Sequence, residues 1–303
     1  MLRPRLRIPR ASRLWRPAIS SRSIHKVPQL EHFRPQDGVP GLLSEGGFDI
    51  AWTQYMQFVI EKLNALTAGT EFDSQPALTI IKATAREPHH APIFNYASMA
   101  HNNAFFFENI ANLDTERQQN KGSTEENDGE ERIPPWLKQE LEKQFSSIET
   151  LRREFLTTAT AMFGPGFVWL VRNAQTTDMR ILTTYLAGTP YTAGHWRRQG
   201  VDMNTQGVRS QDTVRGYLDR AQTGAGADTG GQFVPQSQTA PGGTDVVPLL
   251  CLNTWEHVWL RDYGVGAGGR GGKRQYVQEW WRCVDWNKVE SLATILRPEF
   301  KTK

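Results

Sequence analysis

Cysteine is scarce in this chain of 303 residues, which contains only Cys251 and Cys283. Both lie in apolar segments, and no Cys-x-x-Cys spacing occurs. A disulfide framework and a cysteine-based zinc cluster are therefore excluded. We expect two buried free thiols, which are typical of a protein in a reducing compartment.

Long hydrophobic runs are also absent. No apolar segment reaches the roughly 18 residues that a membrane-spanning helix requires, so no span is predicted. The Gly-rich stretch at 264–274 lacks the GxxxxGK motif of phosphate-binding loops, and no strand–loop–helix pattern surrounds it. We therefore predict a flexible surface loop at this position.

Acidic residues are missing from the first 30 positions, which hold eight Lys or Arg residues. An Arg- and Ser-rich segment without acids is typical of a mitochondrial transit peptide, so we assign residues 1–26 to one, with cleavage near Ser20–Lys26. A basic arm that binds nucleic acid is the alternative. Of the 35 basic residues in the chain, 27 remain outside the first 30 positions against all 32 acidic ones, a net charge of −5. The body lacks the clustered positive charge that wrapping nucleic acid requires.

Apolar periodicity predicts a helical first half and a small sheet in the second half. The predicted helical segments are 48–66, 79–84, 94–112, 136–162 and 275–296, and the predicted strands are 167–172, 180–186 and 248–252. Two polar segments, 114–135 and 192–245, are too poor in apolar residues to become ordered alone. We predict that the first is a solvated linker and the second a disordered-type insertion.

The stretch Pro248–Tyr263 organises the rest of the chain. Its Trp255-Glu256-His257 follows Asn253 and resembles the metal-binding stretch Asp-x-Trp-Glu-His of the iron/manganese superoxide dismutases. Three further segments are similar to that family: FGPGFVWLV at 163–171, AGTP at 187–190 and EWWRCVDWNKV at 279–289. With the N-terminal helices, the resemblance covers most of residues 43–191 and 246–296.

The resemblance implies an α+β, Fe/Mn superoxide dismutase-like fold. An N-terminal helical-hairpin domain with the polar linker is expected at 27–135. A C-terminal domain is expected at 136–303, with a three-stranded antiparallel sheet, helices and the insertion at 192–245. The core of this fold is expected to contain large aromatic side chains, namely Trp169, Trp255, Trp281 and Trp286.

In this family three His and one Asp bind the metal. Matching the motifs places the four ligand positions at Ala51, Asn103, Asn253 and His257, so one of the four ligands is kept. Ala51 has no donor atom, and a carboxamide offers a transition metal only a weak neutral oxygen. We therefore expect no metal site, no other cofactor and no catalytic residues. His101 lies roughly 200° around the helix from Asn103 and is expected to face elsewhere.

The resemblance also identifies positions around the metal and across the family's dimer. The position of the family's gateway Tyr holds Val59, and that of its outer Gln holds Met99. Glu256 is the family's dimer-bridging residue, while a second cross-dimer pair, His and Tyr, is replaced by Tyr55 and Leu260. An interface kept in this altered form favours a heterodimer with a diverged, paralogous superoxide dismutase-like protein.

The leader, the degenerate metal site and the polar insertions together resemble the superoxide dismutase-like proteins of the fungal mitochondrial small ribosomal subunit. The resemblance implies a structural, non-enzymatic component of the mitochondrial ribosome in the matrix, which acts in translation through contacts with neighbouring ribosomal proteins. Candidate local contacts with ribosomal RNA are Arg197-Arg198 beside Trp196, and Arg270 with Lys273-Arg274. Ordinary solvated charge is the alternative for both groups.

Two other functions compete with this hypothesis. An active superoxide dismutase of the mitochondrial matrix would have the same fold and leader, but it requires a redox metal. A different reaction in the same cavity would need a general base, either His257 with Glu256 or the pair His89-His90. No motif places a nucleophile or an oxyanion donor beside these histidines.

Overall fold

A computed structural model describes residues 25–85, 87–113, 130–174, 176–191 and 246–294. Residues 1–24, most of the polar linker and the insertion at 192–245, with Trp196, Arg197 and Arg198, lie outside this range. The helices are α1 (Glu45–Phe48), α2 (Tyr55–Thr67), α3 (Ala77–Thr84), α4 (Ala91–Glu108), α5 (Pro135–Phe145), α6 (Ile148–Ala161), α7 (Glu256–Tyr263), α8 (Gly272–Arg282) and α9 (Trp286–Thr294). The strands are β1 (Gly166–Asn173), β2 (Met179–Tyr185) and β3 (Val246–Asn253).

The three strands form one antiparallel sheet in the order β2-β1-β3, which confirms the predicted α+β fold. The central strand β1 is buried from Gly166 to Arg172 because it has a strand on each side and helices packed on the sheet. A β-bulge interrupts β3, since Leu170 pairs with Leu250 and Val171 pairs with Pro248. Proline has no N–H for the ladder, and a bulge is one of the few places in a sheet that accept it.

The predicted first helix, 48–66, is not one regular helix. The side chain of Ser44 caps α1 by accepting a hydrogen bond from the Gly47 N–H. The chain then widens into a π-helical turn at Asp49–Gln54, and α2 continues from Tyr55. Both α2 and α3 pack against α4, so the expected N-terminal helical hairpin is present with a wide turn in its first arm.

The predicted helix 136–162 is wrong as a single element, because the structure divides it into α5 and α6. Ser146 adopts a left-handed backbone with φ of 69°, which ends α5. The Ser147 side chain then accepts a hydrogen bond from the Thr150 N–H and starts α6. Apolar residues recur at helical spacing across the break, because α5 and α6 both bury their apolar side chains in the main core.

The main core joins side chains from both halves of the chain. Three of the four expected tryptophans, Trp169, Trp281 and Trp286, are fully buried, whereas Trp255 is half-buried. Trp281 and Trp286 meet edge to face, with ring centroids 5.2 Å apart. Cys251 and Cys283 are both buried and form no disulfide, as predicted. Among the described residues, no helix is long and apolar enough to cross a membrane.

The break between α5 and α6 generates a stability prediction. Ser147→Ala removes the N-cap acceptor of α6 and is expected to lower the free energy of unfolding by about 1 kcal/mol. Ser147→Asp is the matched control, because its carboxylate also accepts the Thr150 N–H and should retain most of the stability. Urea unfolding followed by circular dichroism measures the difference. Equal loss in both variants would contradict a capping role for Ser147.

Candidate functional site

The four positions that correspond to the family's metal ligands converge in the structure. Ala51 lies in the π turn, Asn103 on α4, Asn253 at the end of β3 and His257 in the first turn of α7. The first three are fully buried, and His257 is half-buried. The four positions identified from the motifs therefore lie on four separate elements, which meet at one place in the fold.

Two buried carboxamides occupy this point and bind each other. Asn253 Nδ2 donates a hydrogen bond of 2.9 Å to Asn103 Oδ1. Asn103 Nδ2 in turn donates to the backbone carbonyl of Ala51 at 3.1 Å. The Trp255 N–H donates to Asn253 Oδ1 at 2.9 Å. We call this chain of hydrogen bonds the amide network, and it joins the π turn, α4, β3 and the start of α7.

Local structure fixes Asn253 before it meets Asn103. Its Oδ1 accepts the N–H two residues further along the chain, which is the hydrogen bond of an Asx turn. Its backbone carbonyl accepts a hydrogen bond of 2.8 Å from the buried Tyr276 hydroxyl on α8. The next residue, Thr254, donates its hydroxyl to the Gly166 carbonyl at 3.0 Å. These contacts end β3 and direct the chain into α7.

The residues at this point do not fit an iron or manganese ion. Ala51 presents only a methyl group, and its carbonyl is taken up by Asn103. The oxygens of Asn103 and Asn253 already accept hydrogen bonds, and neither amide can supply the negative charge that these cations favour. In the described part of the chain, no three His, Cys, Asp or Glu side chains lie close enough together to hold a metal.

His257 packs as a neutral aromatic ring. It stacks on Tyr55 with ring centroids 4.0 Å apart and an interplanar angle of 21°. Burial lowers the pKa of His257 to about 4, so the imidazole is uncharged near pH 7. Its Nε2 is buried and has no hydrogen-bond partner among the residues that the structure describes. The adjacent Glu256 is exposed, so the geometry does not pair the two as an acid and a base.

The positions around the network are apolar. Val59 and Met99 are both buried, and neither carries a group that exchanges protons. His101 faces away from Asn103, as predicted, and its Nε2 lies 2.7 Å from the Tyr191 hydroxyl. Burial, with a smaller contribution from Lys82, lowers the pKa of His101 to about 4. Among the described residues, His101 hydrogen-bonds to Tyr191 and no hydrogen bond joins it to the amide network.

The other proposed base, His89-His90, lies in a short 3-10 turn at Pro88–His90. The two rings are 4.1 Å apart, and His90 meets Phe72 edge to face at 5.4 Å. His89 is exposed. These contacts are those of a surface turn that packs one ring against the smaller apolar cluster of the N-terminal helices.

The three basic residues of the Gly-rich stretch that were candidates for binding RNA differ in exposure. Arg270 and Arg274 are exposed. Lys273 instead donates a hydrogen bond of 2.6 Å to the Met162 carbonyl at the end of α6. Burial lowers the pKa of Lys273, and Glu256 acts in the opposite direction. Lys273 therefore joins α8 to α6, and only the two arginines of this group point to solvent.

Two residues of the family's dimer contact are exposed on α7, and Lys273 links the end of α6 to this region, since it contacts Met162 and interacts with Glu256. Glu256 and Leu260 are exposed on α7. Phe163 is 97% exposed and directly follows Met162, the residue that Lys273 contacts. Tyr55 instead turns inward onto His257. We call Phe163, Glu256 and Leu260 the α7 face. Sequence reasoning missed Phe163, although its place before Gly164-Pro165-Gly166, outside any helix, was a signal that it is exposed.

The chain is similar in sequence to two groups of known proteins. The family of iron/manganese superoxide dismutases, C-terminal domain, matches residues 134–202 and 232–292. Small ribosomal subunit protein mS43 of Schizosaccharomyces pombe is 27% identical over 270 residues, which are 89% of this chain and 84% of that protein. Small ribosomal subunit protein mS42 of the same yeast is 25% identical over 216 residues, 71% of this chain and 73% of that protein. An iron superoxide dismutase of Helicobacter pylori is 27% identical over 269 residues, 86% of this chain and 90% of that protein.

The amide network generates a prediction about pH. In Asn253→Asp, a protonated carboxyl replaces the amide closely, because its O–H can donate to Asn103 Oδ1. An ionised carboxylate at this buried position has no donor in that direction, so burial should raise its folded-state pKa above the unfolded value of about 3.9. The folded state then holds a proton that the unfolded state has lost. The free energy of unfolding, relative to wild type, should be highest below about pH 4 and fall as the pH rises to the folded-state pKa.

Urea unfolding at a series of pH values from 4 to 7.5 tests this prediction. Asn253→Ala is the control, because it leaves Asn103 Oδ1 and the Trp255 N–H without partners but introduces no titrating group. It should lose about 2 kcal/mol at every pH. A difference between wild type and Asn253→Asp that does not depend on pH would contradict the network.

Proposed function

We propose that the chain is a superoxide dismutase-like protein and a structural component of the mitochondrial small ribosomal subunit; its residues 134–202 and 232–292 match the C-terminal domain of the iron/manganese superoxide dismutases. The observation that carries this proposal is the amide network, in which two asparagines satisfy each other where the family binds its metal. The relatives named as small ribosomal subunit proteins support it, as does the basic leader. The matrix is the compartment that this function implies.

We propose further that the protein has no superoxide dismutase activity. That reaction needs a metal that alternates between two oxidation states. One half-buried imidazole is the only family ligand left, and its neighbours at the site are amides that already bind each other. The similarity to the Helicobacter pylori iron enzyme makes an active matrix superoxide dismutase the alternative.

We propose that the main partners of the chain are other proteins. The body outside the basic leader is mildly acidic, so contacts with ribosomal RNA should be local, through Arg270 and Arg274. The α7 face combines an exposed carboxylate with two exposed apolar side chains, a combination suited to a protein interface. Tyr55 and Leu260 occupy the positions of the family's His and Tyr, so a second copy would not restore that cross-dimer pair. We therefore propose a heterodimer with a paralogous superoxide dismutase-like protein.

The proposed domain boundary lies between residues 135 and 136. Side chains from α2 and α4 and side chains from the sheet and α8 lie in the same main core. We propose that residues 27–135 and 136–303 act as a single structural unit on the ribosome, and that the polar segments between their elements contact its neighbours.

Sedimentation of a mitochondrial lysate tests the ribosomal assignment. The chain, with a C-terminal tag, should migrate with the small ribosomal subunit on a sucrose gradient, and it should stay there at high salt because its main contacts are with proteins. A soluble matrix enzyme serves as the marker of unbound protein. Recovery of the chain only as a free dimer would overturn the proposal.

Metal content and activity test the absence of catalysis. The purified chain should contain iron and manganese far below one ion per chain and should show no superoxide dismutase activity, since its site offers a single imidazole. The Helicobacter pylori iron enzyme is the positive control. His257→Ala is the matched variant, because it removes the one remaining ligand. Stoichiometric metal in the wild-type chain that disappears in His257→Ala would establish the alternative function.

A further inference from the structure

The two edges of the sheet differ in how they are protected. The order β2-β1-β3 makes β2 and β3 the edge strands. β3 contains Pro248 at its bulge, and both α4 and α9 pack against it. β2 contains neither proline nor lysine, and it pairs with β1 over its whole length without a bulge. Proteins usually protect an edge strand by such devices, because an open edge can pair with another chain.

Two hydrogen bonds fix the pairing pattern of β1 and β2. The Leu186 N–H donates to the Pro165 carbonyl at 3.0 Å at one end, and the Asn173 N–H donates to the Asp178 carbonyl at 2.8 Å at the other. Both bonds fit the register of the two strands. Residues directly opposite each other in antiparallel strands alternate between pairs that exchange hydrogen bonds and pairs that do not. Counting inward from either end therefore identifies the same bonded pairs.

This pattern directs the backbone groups of Ile181 and Thr183 away from β1. Leu182 and Thr184 belong to the bonded pairs, and the residues that alternate with them face outward. Among the described residues, no hydrogen bond reaches the outward N–H and carbonyl groups of Ile181 and Thr183. The outward carbonyl of Tyr185 already accepts a backbone N–H from the turn that follows. Two donors and two acceptors therefore remain open along the middle of β2.

A groove lies beside these groups, between α6 and β2. Its volume is about 770 Å³, and it is lined by residues 181–183 of β2 and by four residues of α6. Thr183 is exposed, and Ile181 and Leu182 are half-buried, so the groove offers both apolar and hydroxyl side chains. α5 also contacts β2, but none of its residues lines the groove. In the described part of the chain, the space beside the open backbone groups is accessible.

The groove also carries a carboxylate. Glu154 of α6 lines it one turn before Thr158, is exposed, and takes part in none of the ion pairs between described residues. Arg153 lines the groove as well, but it lies about 100° around the helix from Glu154, on the side away from Thr158. The body outside the leader is mildly acidic too. A basic side chain is therefore the complement of the part of the groove next to β2.

We propose that an extended, basic segment of a neighbouring protein pairs with β2 as a fourth strand of the sheet. Such a strand gives the open groups of Ile181 and Thr183 their hydrogen-bond partners, and the groove selects its side chains. A Lys or Arg of the segment meets Glu154. This inference rests on the proposed ribosomal function, since the neighbour is another protein of the small subunit.

The first experiment blocks the edge with proline. Thr183→Pro removes an outward N–H that β1 does not use, so the β1–β2 ladder and the Tm should be kept. The fraction of the chain that stays with the small subunit at high salt should fall by about tenfold, because the added strand loses hydrogen bonds. Thr183→Ala is the matched control, since it retains the N–H and should sediment like wild type. Equal retention of Thr183→Pro and wild type would overturn the inference.

The second experiment uses the wild-type chain. Amide hydrogen exchange, resolved to single residues, is compared between the purified chain and the chain in isolated small subunits. Leu182 and Thr184 should be protected in both, whereas Ile181 and Thr183 should exchange at least about tenfold more slowly in the subunit. Fast exchange of these two amides in the subunit would overturn the proposal. Protection already present in the free chain would also do so, because another part of this chain would then pair with the edge.

The third experiment tests the chemistry of the partner. Glu154→Gln should release about two- to fivefold more chain from the subunit at moderate salt, because it removes an exposed ion pair with a basic segment. Glu154→Asp is the control and should behave nearly as wild type. Tighter retention of Glu154→Gln would show that a negatively charged partner such as RNA occupies the groove, and would overturn the proposal.

These outcomes are separate from that of the ribosomal assignment. A wild-type chain that sediments with the small subunit, with Thr183→Pro retained equally, contradicts only the fourth strand. A wild-type chain that does not sediment with the subunit contradicts the ribosomal function itself, and the subunit neighbour with it.

Discussion

The hydrogen bond from Asn253 Nδ2 to Asn103 Oδ1 joins α4 to the end of β3 inside the protein, where no water competes for either group. A metal ion would hold these elements together by its charge and its coordination geometry, whereas the two amides do so by a directional hydrogen bond. A buried amide without a partner would lower the stability of the fold by more than this hydrogen bond contributes. Each asparagine therefore offsets the cost of burying the other. Replacement of either asparagine therefore leaves the other without its side-chain partner.

The rest of the site follows from that pair. Asn103 needs an acceptor for its own amide and finds it in the Ala51 carbonyl of the π turn. Asn253 needs a donor and finds it in the Trp255 N–H, which also starts α7. Val59 and Met99, which occupy the positions of the family's gateway Tyr and outer Gln, are apolar and buried. Buried tryptophans such as Trp169 and Trp281 contribute large aromatic side chains to the same core.

Patterns in the sequence predicted the elements that depend on burial. The strands, α3, the helical character of residues 275–296 and the four positions that correspond to the family's ligands follow from apolar spacing and from motif order. The π turn was not predicted, because a change from one hydrogen-bond ladder to another leaves apolar spacing nearly intact. The break at Ser146 was missed for the same reason. The pairing of Asn103 with Asn253 was also missed, since each was judged singly as a poor ligand and their 2.9 Å contact depends on the fold.

His257 is the one imidazole at the four positions that correspond to the family's metal ligands. Stacking on Tyr55 gives its ring an apolar partner, and the same burial that lowers its pKa to about 4 keeps it neutral. A neutral imidazole tolerates an unpartnered nitrogen far better than a charged one would, because burial of a charge costs much more than burial of a polar group. Tyr55 is half-buried against His257, while Glu256 and Leu260 are exposed on the α7 face. The position that holds a His in the family's cross-dimer pair therefore packs against a family ligand position in this chain.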